Sequence, residues 1–282
     1  MFKHLLSFVI IAAAATASGE IHAQDASVTS NPLVVQLLQT VNQSQCAAYY
    51  WRNRGHAPKA YMRGMALVFA RSLCHPERSD VRVTSAAADP VGTEAEKKDG
   101  VTWYESQFNA LGLANDKAGA DTLRNTYALM IGLGMRESSG QYCEGRDQSA
   151  DFTQADTAEA GLFQTSWGAS SANLTLPELY LRYSTGGADC LLETFSKNVQ
   201  CGANDAENFG TGIGADWQQL TKTCPAFATE YAAVVLRKNG GRKGEFGPIR
   251  NHAAELRPEC VSLLTEVQEF VADNPDICSI LP

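Results

Sequence analysis

Glu137 is the residue of this chain whose surroundings best suit acid–base chemistry. It follows a mostly apolar segment, residues 123–135, and precedes a polar loop. Apolar neighbours disfavour an ionised carboxylate, so we expect the pKa of Glu137 to be raised and the group to stay protonated near neutral pH. A protonated carboxyl group at the wall of a cleft can protonate the leaving oxygen of a glycosidic bond. The sequence therefore predicts Glu137 as a general acid.

A second carboxylate would complete such a site by activating a water molecule, and the reaction would then be a hydrolysis. Asp156 is our first choice for this role, because it lies in the loop-rich segment that follows Glu137. Glu159 and Asp147 stay open as alternatives, as does a site without any second acid.

Two short motifs resemble a known group of enzymes. Glu137-Ser138, and after a polar loop Gly161-Leu162-Phe163-Gln164, resemble goose-type lysozymes and soluble lytic transglycosylases of the lysozyme-like superfamily. The motifs span about 30 residues. The resemblance implies a mostly α-helical, lysozyme-like domain with a glycan-binding groove and Glu137 as the general acid. It also implies that Gly161–Gln164, as a strand or turn, lines the groove opposite Glu137.

The chain departs from these families in two ways. The interval between the two motifs is longer than usual, and Ser166 stands where goose-type enzymes carry an acid after the Gly-Leu motif. If Glu137 acts alone, as it does in lytic transglycosylases, the sugar's own hydroxyl attacks instead of water. A non-catalytic glycan-binding protein is the remaining alternative. The substrate stays open among peptidoglycan, chitosan-like or chitin-like chains and other exopolysaccharides.

Further residues near the motifs are candidates for substrate binding. Tyr142 and Trp167 suit stacking on sugar rings, because their aromatic faces are apolar and their edges polar, although both residue types also pack in protein cores. Hydrogen bonds to the sugar are expected from the polar side chains of Ser138, Glu159 and Gln164.

Hydrophobic periodicity predicts a mostly α-helical fold. Proline and cap residues predict helices that begin at Pro32, Pro58, Asp121 or Thr122, Leu176, Thr223 and Pro258. Further helices are expected over residues 103–113 and 188–195. Residues 76–100 read as a long exposed loop, residues 137–175 as a loop-rich region or small hairpin, and residues 201–214 as a polar loop. We expect one catalytic domain over residues 24–282.

Charge limits the possible partners. The net charge of −8 makes the chain a poor binder of nucleic acid, which attracts proteins rich in Lys and Arg. It favours a neutral or cationic substrate, unless a local basic cleft overrides the overall charge. We expect a monomer with a polysaccharide substrate, without a cofactor, a metal or a membrane partner.

The N-terminus and the cysteines both bear on where the protein is located. Lys3, an apolar run over residues 5–17 and a small residue at Ala23 predict a signal peptide over residues 1–23, with cleavage after Ala17 as the alternative. The chain has eight cysteines, which predicts up to four disulfides in a secreted or periplasmic protein. Eight cysteines allow 105 pairings. Local pairs such as Cys190–Cys201 and Cys46–Cys74 are one hypothesis.

Overall fold

The protein is a helical assembly, seen in a computed structural model that describes residues 28–90, 97–146 and 153–281. Two short strands, β1 (Tyr50–Trp51) and β2 (Gly55–His56), pair antiparallel as a hairpin. The α-helices are α1 (Pro32–Gln43), α2 (Gln45–Ala48), α3 (Lys59–Cys74), α4 (Ser79–Thr84), α5 (Gly100–Trp103), α6 (Glu105–Ala110), α7 (Ala120–Ser138), α8 (Thr175–Ser184), α9 (Leu192–Ser196), α10 (Ile213–Thr223), α11 (Pro225–Asn239), α12 (Gly247–Arg250) and α13 (Pro258–Asp273). Short 3₁₀ helices cover Ala155–Thr157, Trp167–Ala172 and Pro275–Ser279.

Three long helices form the centre of the core. In α11, 13 of the 15 residues are buried, and α3 is buried over most of its length. Both pack against α7, whose residues from Thr122 to Met135 are buried with one exception. Helices that are apolar around most of their circumference must be covered on all sides, because each buried aliphatic or aromatic side chain contributes about 1.5–3 kcal/mol. The outer helices α1, α8 and α13 supply that cover.

A buried ionic cluster ties four of these helices together. Glu230 on α11 accepts from Arg71 on α3 at 2.8 Å and from Arg182 on α8 at 2.6 Å, and it also pairs with Arg78. Burial alone would raise the pKa of Glu230, but the three guanidinium groups lower it to about 2. Asp80 on α4 completes the cluster through its ion pair with Arg78. Any packing of α3, α4, α8 and α11 that separated these charges would leave one of them buried without a partner, which is strongly destabilising. The cluster therefore favours the arrangement of these four helices seen here.

Four disulfides close the fold, with pairings that the sequence did not predict. They are Cys46–Cys260, Cys74–Cys278, Cys143–Cys201 and Cys190–Cys224. The number of disulfides is confirmed, and the hypothetical pairs Cys190–Cys201 and Cys46–Cys74 are wrong. The reason is topological. Because α13 packs against α2 and α3, cysteines near the end of the chain meet cysteines near its beginning.

The structure confirms a mostly α-helical, disulfide-stabilised chain and corrects several boundaries. The predicted loop 76–100 contains α4, which is held by buried Val81 and Thr84. The helix expected over residues 103–113 is divided at Tyr104 into α5 and α6. Helix α10 and the β1–β2 hairpin were not predicted. The predicted signal peptide lies outside the described residues.

No helix in the described part of the chain is long and apolar enough to span a membrane. Four disulfides are typical of proteins that fold in an oxidising compartment outside the cytosol.

Candidate active site

The end of α7 presents Glu137 at the edge of the core. The helix ends directly after it because Ser139 and Gly140 adopt left-handed backbone conformations, with φ of 57° and 76°. Both of their N–H groups donate to the carbonyl of Gly134. A left-handed conformation at a non-glycine residue costs on the order of 1 kcal/mol, and such positions cluster at functional sites. Glu137 is thus the penultimate residue of a buried helix and lies half-buried at its exit.

The second motif folds into a tight turn beside this helix end. Gln164 N–H donates to the Gly161 carbonyl at 3.1 Å, and an isolated antiparallel bridge joins Ala160 to Thr165. Leu162 and Phe163, at the centre of the turn, are fully buried. The turn is therefore fixed to the core through its two apolar side chains.

Ser138 joins the two motifs. Its hydroxyl donates to the Leu162 carbonyl at 2.8 Å and to the Gly134 carbonyl at 3.1 Å. The side chain is 3% exposed, so this hydroxyl is used inside the protein. The structure thus brings Glu137-Ser138 and Gly161–Gln164 together, with Ser138 as a tether between them. Its predicted contact with substrate remains a prediction.

Gln164 is bound by the protein in a similar way. Its side-chain amide donates to the carbonyls of Gly145 and Gly161, both at 3.0 Å. The residue has a φ of 46°, and these two hydrogen bonds help to hold that conformation. Both N–H donors of the Gln164 amide are therefore used within the protein. Its predicted contact with substrate remains a prediction.

The pKa of Glu137 is raised to about 8. Burial is the main cause, and the negative charge of Glu159 adds to it. Three positive charges act in the opposite direction: Arg54, Arg250 and Arg136. The predicted direction of the shift is therefore found in the structure, and with a pKa of about 8 the group carries a proton at neutral pH.

The candidate second acids lie in different places. Glu159, just before the turn, is the carboxylate in the described part of the chain that acts most strongly on Glu137. Asp156 faces the first turn of α10 instead, since a Cβ placed on Gly214 would lie 2.5 Å from its Oδ1. Asp147 lies outside the described residues.

The two aromatic candidates, Tyr142 and Trp167, both pack against the protein. Tyr142 is half-buried, and its hydroxyl lies 3.4 Å from the sulfur of Cys201 in the Cys143–Cys201 disulfide. Trp167 is half-buried against Tyr180, with ring centroids 5.1 Å apart. Each therefore packs partly on the protein and keeps part of its ring exposed.

Several charged residues of the site were missed in the sequence. Arg54 comes from the β1–β2 hairpin and donates to the Arg136 carbonyl at 2.5 Å. Arg250 on α12 donates to the carbonyls of Gly244 and Glu245. Both are far from Glu137 in sequence and lie in no recognisable motif, so no local signal identified them.

Glu245 is a further carboxyl group near the turn. It accepts a hydrogen bond from Ser166 Oγ at 3.1 Å, and Ser166 is the residue that stands where an acid was expected. Burial raises the pKa of Glu245, while the bond from Ser166 and the charge of Arg250 lower it. The carboxyl group of Glu245, from the loop after α11, thus lies beside Ser166, the position where the resemblance led us to expect an acidic residue.

In the ranges that the structure describes, no group of three or more His, Cys, Asp or Glu side chains is arranged to hold a metal ion.

Comparisons with known proteins yielded no significant match, whether to protein-family models, to curated proteins or to solved structures.

Proposed function

We propose that this protein is a glycoside hydrolase that cleaves a polysaccharide outside the cytoplasm, with Glu137 as its general acid. One observation carries the proposal: a carboxyl group with a pKa of about 8 lies at the end of a buried helix, beside a second carboxylate and three guanidinium groups. A shift of that size is typical of functional sites, and a neutral carboxylic acid is the proton donor that glycosidic bond cleavage needs.

The roles of the two carboxyl groups follow from their environments. Glu137, protonated at neutral pH, donates its proton to the glycosidic oxygen as the bond to the leaving sugar breaks. Glu159 is our choice for the second role, in which it accepts a proton from water as that water attacks the sugar. Its charge already acts on Glu137, whereas Asp156 faces α10. The resemblance of the two motifs to lysozyme-like enzymes supports the same reaction class.

The arginines around Glu137 support its role as the general acid. After Glu137 has given up its proton it becomes a carboxylate, and Arg54, Arg136 and Arg250 stabilise the new negative charge. Stabilising a charge that appears only during the reaction lowers the barrier, whereas stabilising a charge present from the start does not.

The proposal is tested by incubating the protein and its Glu137→Gln, Glu159→Gln and Asp156→Asn variants with peptidoglycan, chitosan, chitin, neutral glucans and polyuronic acids. Mass spectrometry of the products then separates the reactions. We expect one polymer to be cut into products that have gained water, with at least a 100-fold loss of rate in Glu137→Gln, since general acid catalysis contributes about 10²–10⁴-fold.

The three variants distinguish the possible mechanisms. If Glu159 is the base, Glu159→Gln is slow and Asp156→Asn is near the parent rate. Products that lack water, with only Glu137→Gln inactive, would instead indicate a lytic transglycosylase. Equal cleavage by the parent and Glu137→Gln would disprove the proposal, and so would a failure to cut any polymer.

The pH dependence follows from the same assignment. Because Glu137 must be protonated in the free enzyme, kcat/KM should fall above about pH 8, tenfold for each further pH unit. A rate that falls already above pH 5 would assign the acid to another group.

A further inference from the structure

The chain has an uneven distribution of charge. It contains 31 acidic and 23 basic residues, yet no Asp or Glu occurs between residues 26 and 76. The β1–β2 hairpin lies in the middle of this acid-free stretch and carries Arg52, Arg54 and, just beyond it, Lys59. The hairpin itself therefore carries basic and no acidic side chains, in a chain whose net charge is −8.

The hairpin is built to present its side chains in fixed directions. Its turn is closed by Arg54 N–H donating to the Trp51 carbonyl at 3.0 Å, with Asn53 and Gly55 in left-handed conformations. Trp51 is fully buried, while its neighbour Tyr50 is 64% exposed. Tyr50 lies opposite His56, and their rings meet edge to face at 5.3 Å.

Hydrogen bonds hold the hairpin against the end of α7. Glu255 accepts from the Tyr49 hydroxyl at 2.9 Å and from the Arg52 N–H at 3.0 Å. Arg54 donates to the Arg136 carbonyl, and Arg136 donates back to the Arg52 carbonyl at 3.3 Å. The hairpin is thus fixed beside Glu137, and a ligand bound there would not have to order it first.

Neither arginine of the hairpin is within ion-pair distance of a carboxylate among the residues that the structure describes, although the charge of Arg54 acts on Glu137 and Glu144. The side chain of Arg52 is exposed and makes no hydrogen bond within those residues, and Arg54 donates only to the Arg136 carbonyl and to Ser139 Oγ. A guanidinium group has five N–H donors, so most of the donors of both residues face solvent. Their planar geometry suits a carboxylate, which they bind through two parallel hydrogen bonds.

We propose that the hairpin, residues 50–56, is a binding subsite for a sugar unit that carries a carboxylate, and this inference rests on the function proposed above. Arg52 and Arg54 bind the carboxylate, and the exposed ring of Tyr50 stacks on the sugar. Arg52 and Arg54 lie two and four residues from Tyr50 in the same short hairpin, so the aromatic and the basic parts lie within the span of a short oligosaccharide. Both a uronic acid and the lactate ether on the amino sugars of peptidoglycan offer this chemistry.

The test measures binding to the Glu137→Gln protein, which does not require cleavage. The probes are a uronic acid hexasaccharide, the same hexasaccharide with its carboxyl groups reduced to alcohols, a peptide-free peptidoglycan fragment and a chitin oligosaccharide of equal length. We expect at least one carboxylated probe to bind at least tenfold more tightly than its neutral counterpart. The probe that shows the difference identifies the source of the carboxylate.

Variants then locate the subsite. Arg52→Gln, Arg54→Gln and Tyr50→Ala should each weaken binding of the carboxylated probe by at least fivefold. Arg52→Gln is the variant least able to disturb the fold, because the Arg52 side chain makes no hydrogen bond or ion pair in the described part of the chain. Arg82→Gln is the matched control, because it removes the same charge from an exposed position on α4. Arg82 lies two residues from Thr84, whose carbonyl accepts a hydrogen bond from Thr126 on α7. Thr126 lies about 16 Å along α7 from Glu137. It should bind within twofold of the parent.

Two results would overturn the inference. In the first, neither carboxylated probe binds more tightly than its neutral counterpart. In the second, the hairpin variants bind like the parent. If the carboxylated probe binds as expected but the wild-type protein cuts no polymer, the proposed function fails while the subsite stands.

Discussion

The protonation state of Glu137 is set by a competition between its neighbours. Burial and the charge of Glu159 favour the neutral form, and three arginines favour the ionised form. Burial wins because the carboxyl group lies at the end of a helix whose last turns are in the core. The arginines keep the shift limited, so that the proton is still available for transfer near neutral pH.

The raised pKa predicts a pH-dependent change in stability. The folded protein binds this proton more tightly than the unfolded chain does, because the pKa is about 8 in the former and near 4.5 in the latter. The stabilising contribution is therefore complete below pH 4.5 and is lost as the pH rises to 8. At pH 7 the loss is on the order of 3 kcal/mol.

Glu137→Gln removes this dependence, because glutamine does not titrate. We expect the free energy of unfolding of the variant, relative to the parent, to increase by on the order of 3 kcal/mol between pH 4 and pH 7. Urea unfolding at the two pH values measures it. Glu269→Gln, at an exposed position on α13, is the control and should show no such increase. A constant difference for Glu137→Gln would contradict the shifted pKa.

The half-buried position of Glu137 could be predicted from the sequence, because the apolar segment just before it belongs to the same helix. It did not predict Arg54, Arg250 or Glu245, because these reach the site from the hairpin, α12 and the loop after α11. Such contacts depend on how elements pack, and no local pattern encodes them.

At the scale of elements, long helices with proline or cap signals were predictable. Helices α1, α3, α11 and α13 begin within two residues of the expected positions. Shorter elements were not, because two-residue strands are too short for alternation and α4 is held by tertiary contacts such as that of the Thr84 carbonyl with Thr126 on α7. Tertiary packing overrides weak local preference in such segments.

A close contact at Gly132 controls how α7 meets the segment before α13. A Cβ at this position would overlap the backbone carbonyl of Glu255, the residue that holds the hairpin through Tyr49 and Arg52. Alanine favours the helix over glycine by about 1 kcal/mol. Overpacking against a fixed backbone costs about 1–3 kcal/mol.

We therefore expect Gly132→Ala to lose stability despite the better helix former, and to lower activity through displacement of the hairpin. Thermal unfolding and turnover of the polymer identified above measure the two effects. A variant that is more stable and fully active would show that the Glu255 segment moves without consequence.

At the scale of the whole molecule, the disulfides join the two ends of the described chain. Cys46–Cys260 and Cys74–Cys278 link the same two regions, with sequence separations of 214 and 204. While one of them is intact, the other closes a loop of only roughly fifty residues, counted through the remaining bridge. Removing one of these two disulfides should then cost about 4 kcal/mol of stability through loop entropy, similar to the cost of removing Cys190–Cys224.

This arrangement predicts that removing the first and then the second of these two disulfides costs unequal amounts of stability. Replacing the cysteines of one bridge by serine should cost about 4 kcal/mol, and replacing those of the second should cost about 1 kcal/mol more, because the loop that opens is then much longer. Urea unfolding of the single and combined variants measures both steps. If the second step is the smaller one, the two bridges do not share a loop in the unfolded chain. The pairing itself was not predictable, since it follows from the position of α13 beside α2 and α3.

The most direct test of the central claim is a titration of the Glu137 carboxyl group. Protein labelled with ¹³C at glutamate side-chain carboxyls is followed by NMR from pH 3 to pH 10, and the signal absent from Glu137→Gln is assigned to Glu137. We expect a midpoint near pH 8, so that the group is protonated and able to act as an acid at neutral pH. A midpoint near 4.5 would mean that Glu137 is an ordinary carboxylate, and it would contradict both the acid role and the function built on it.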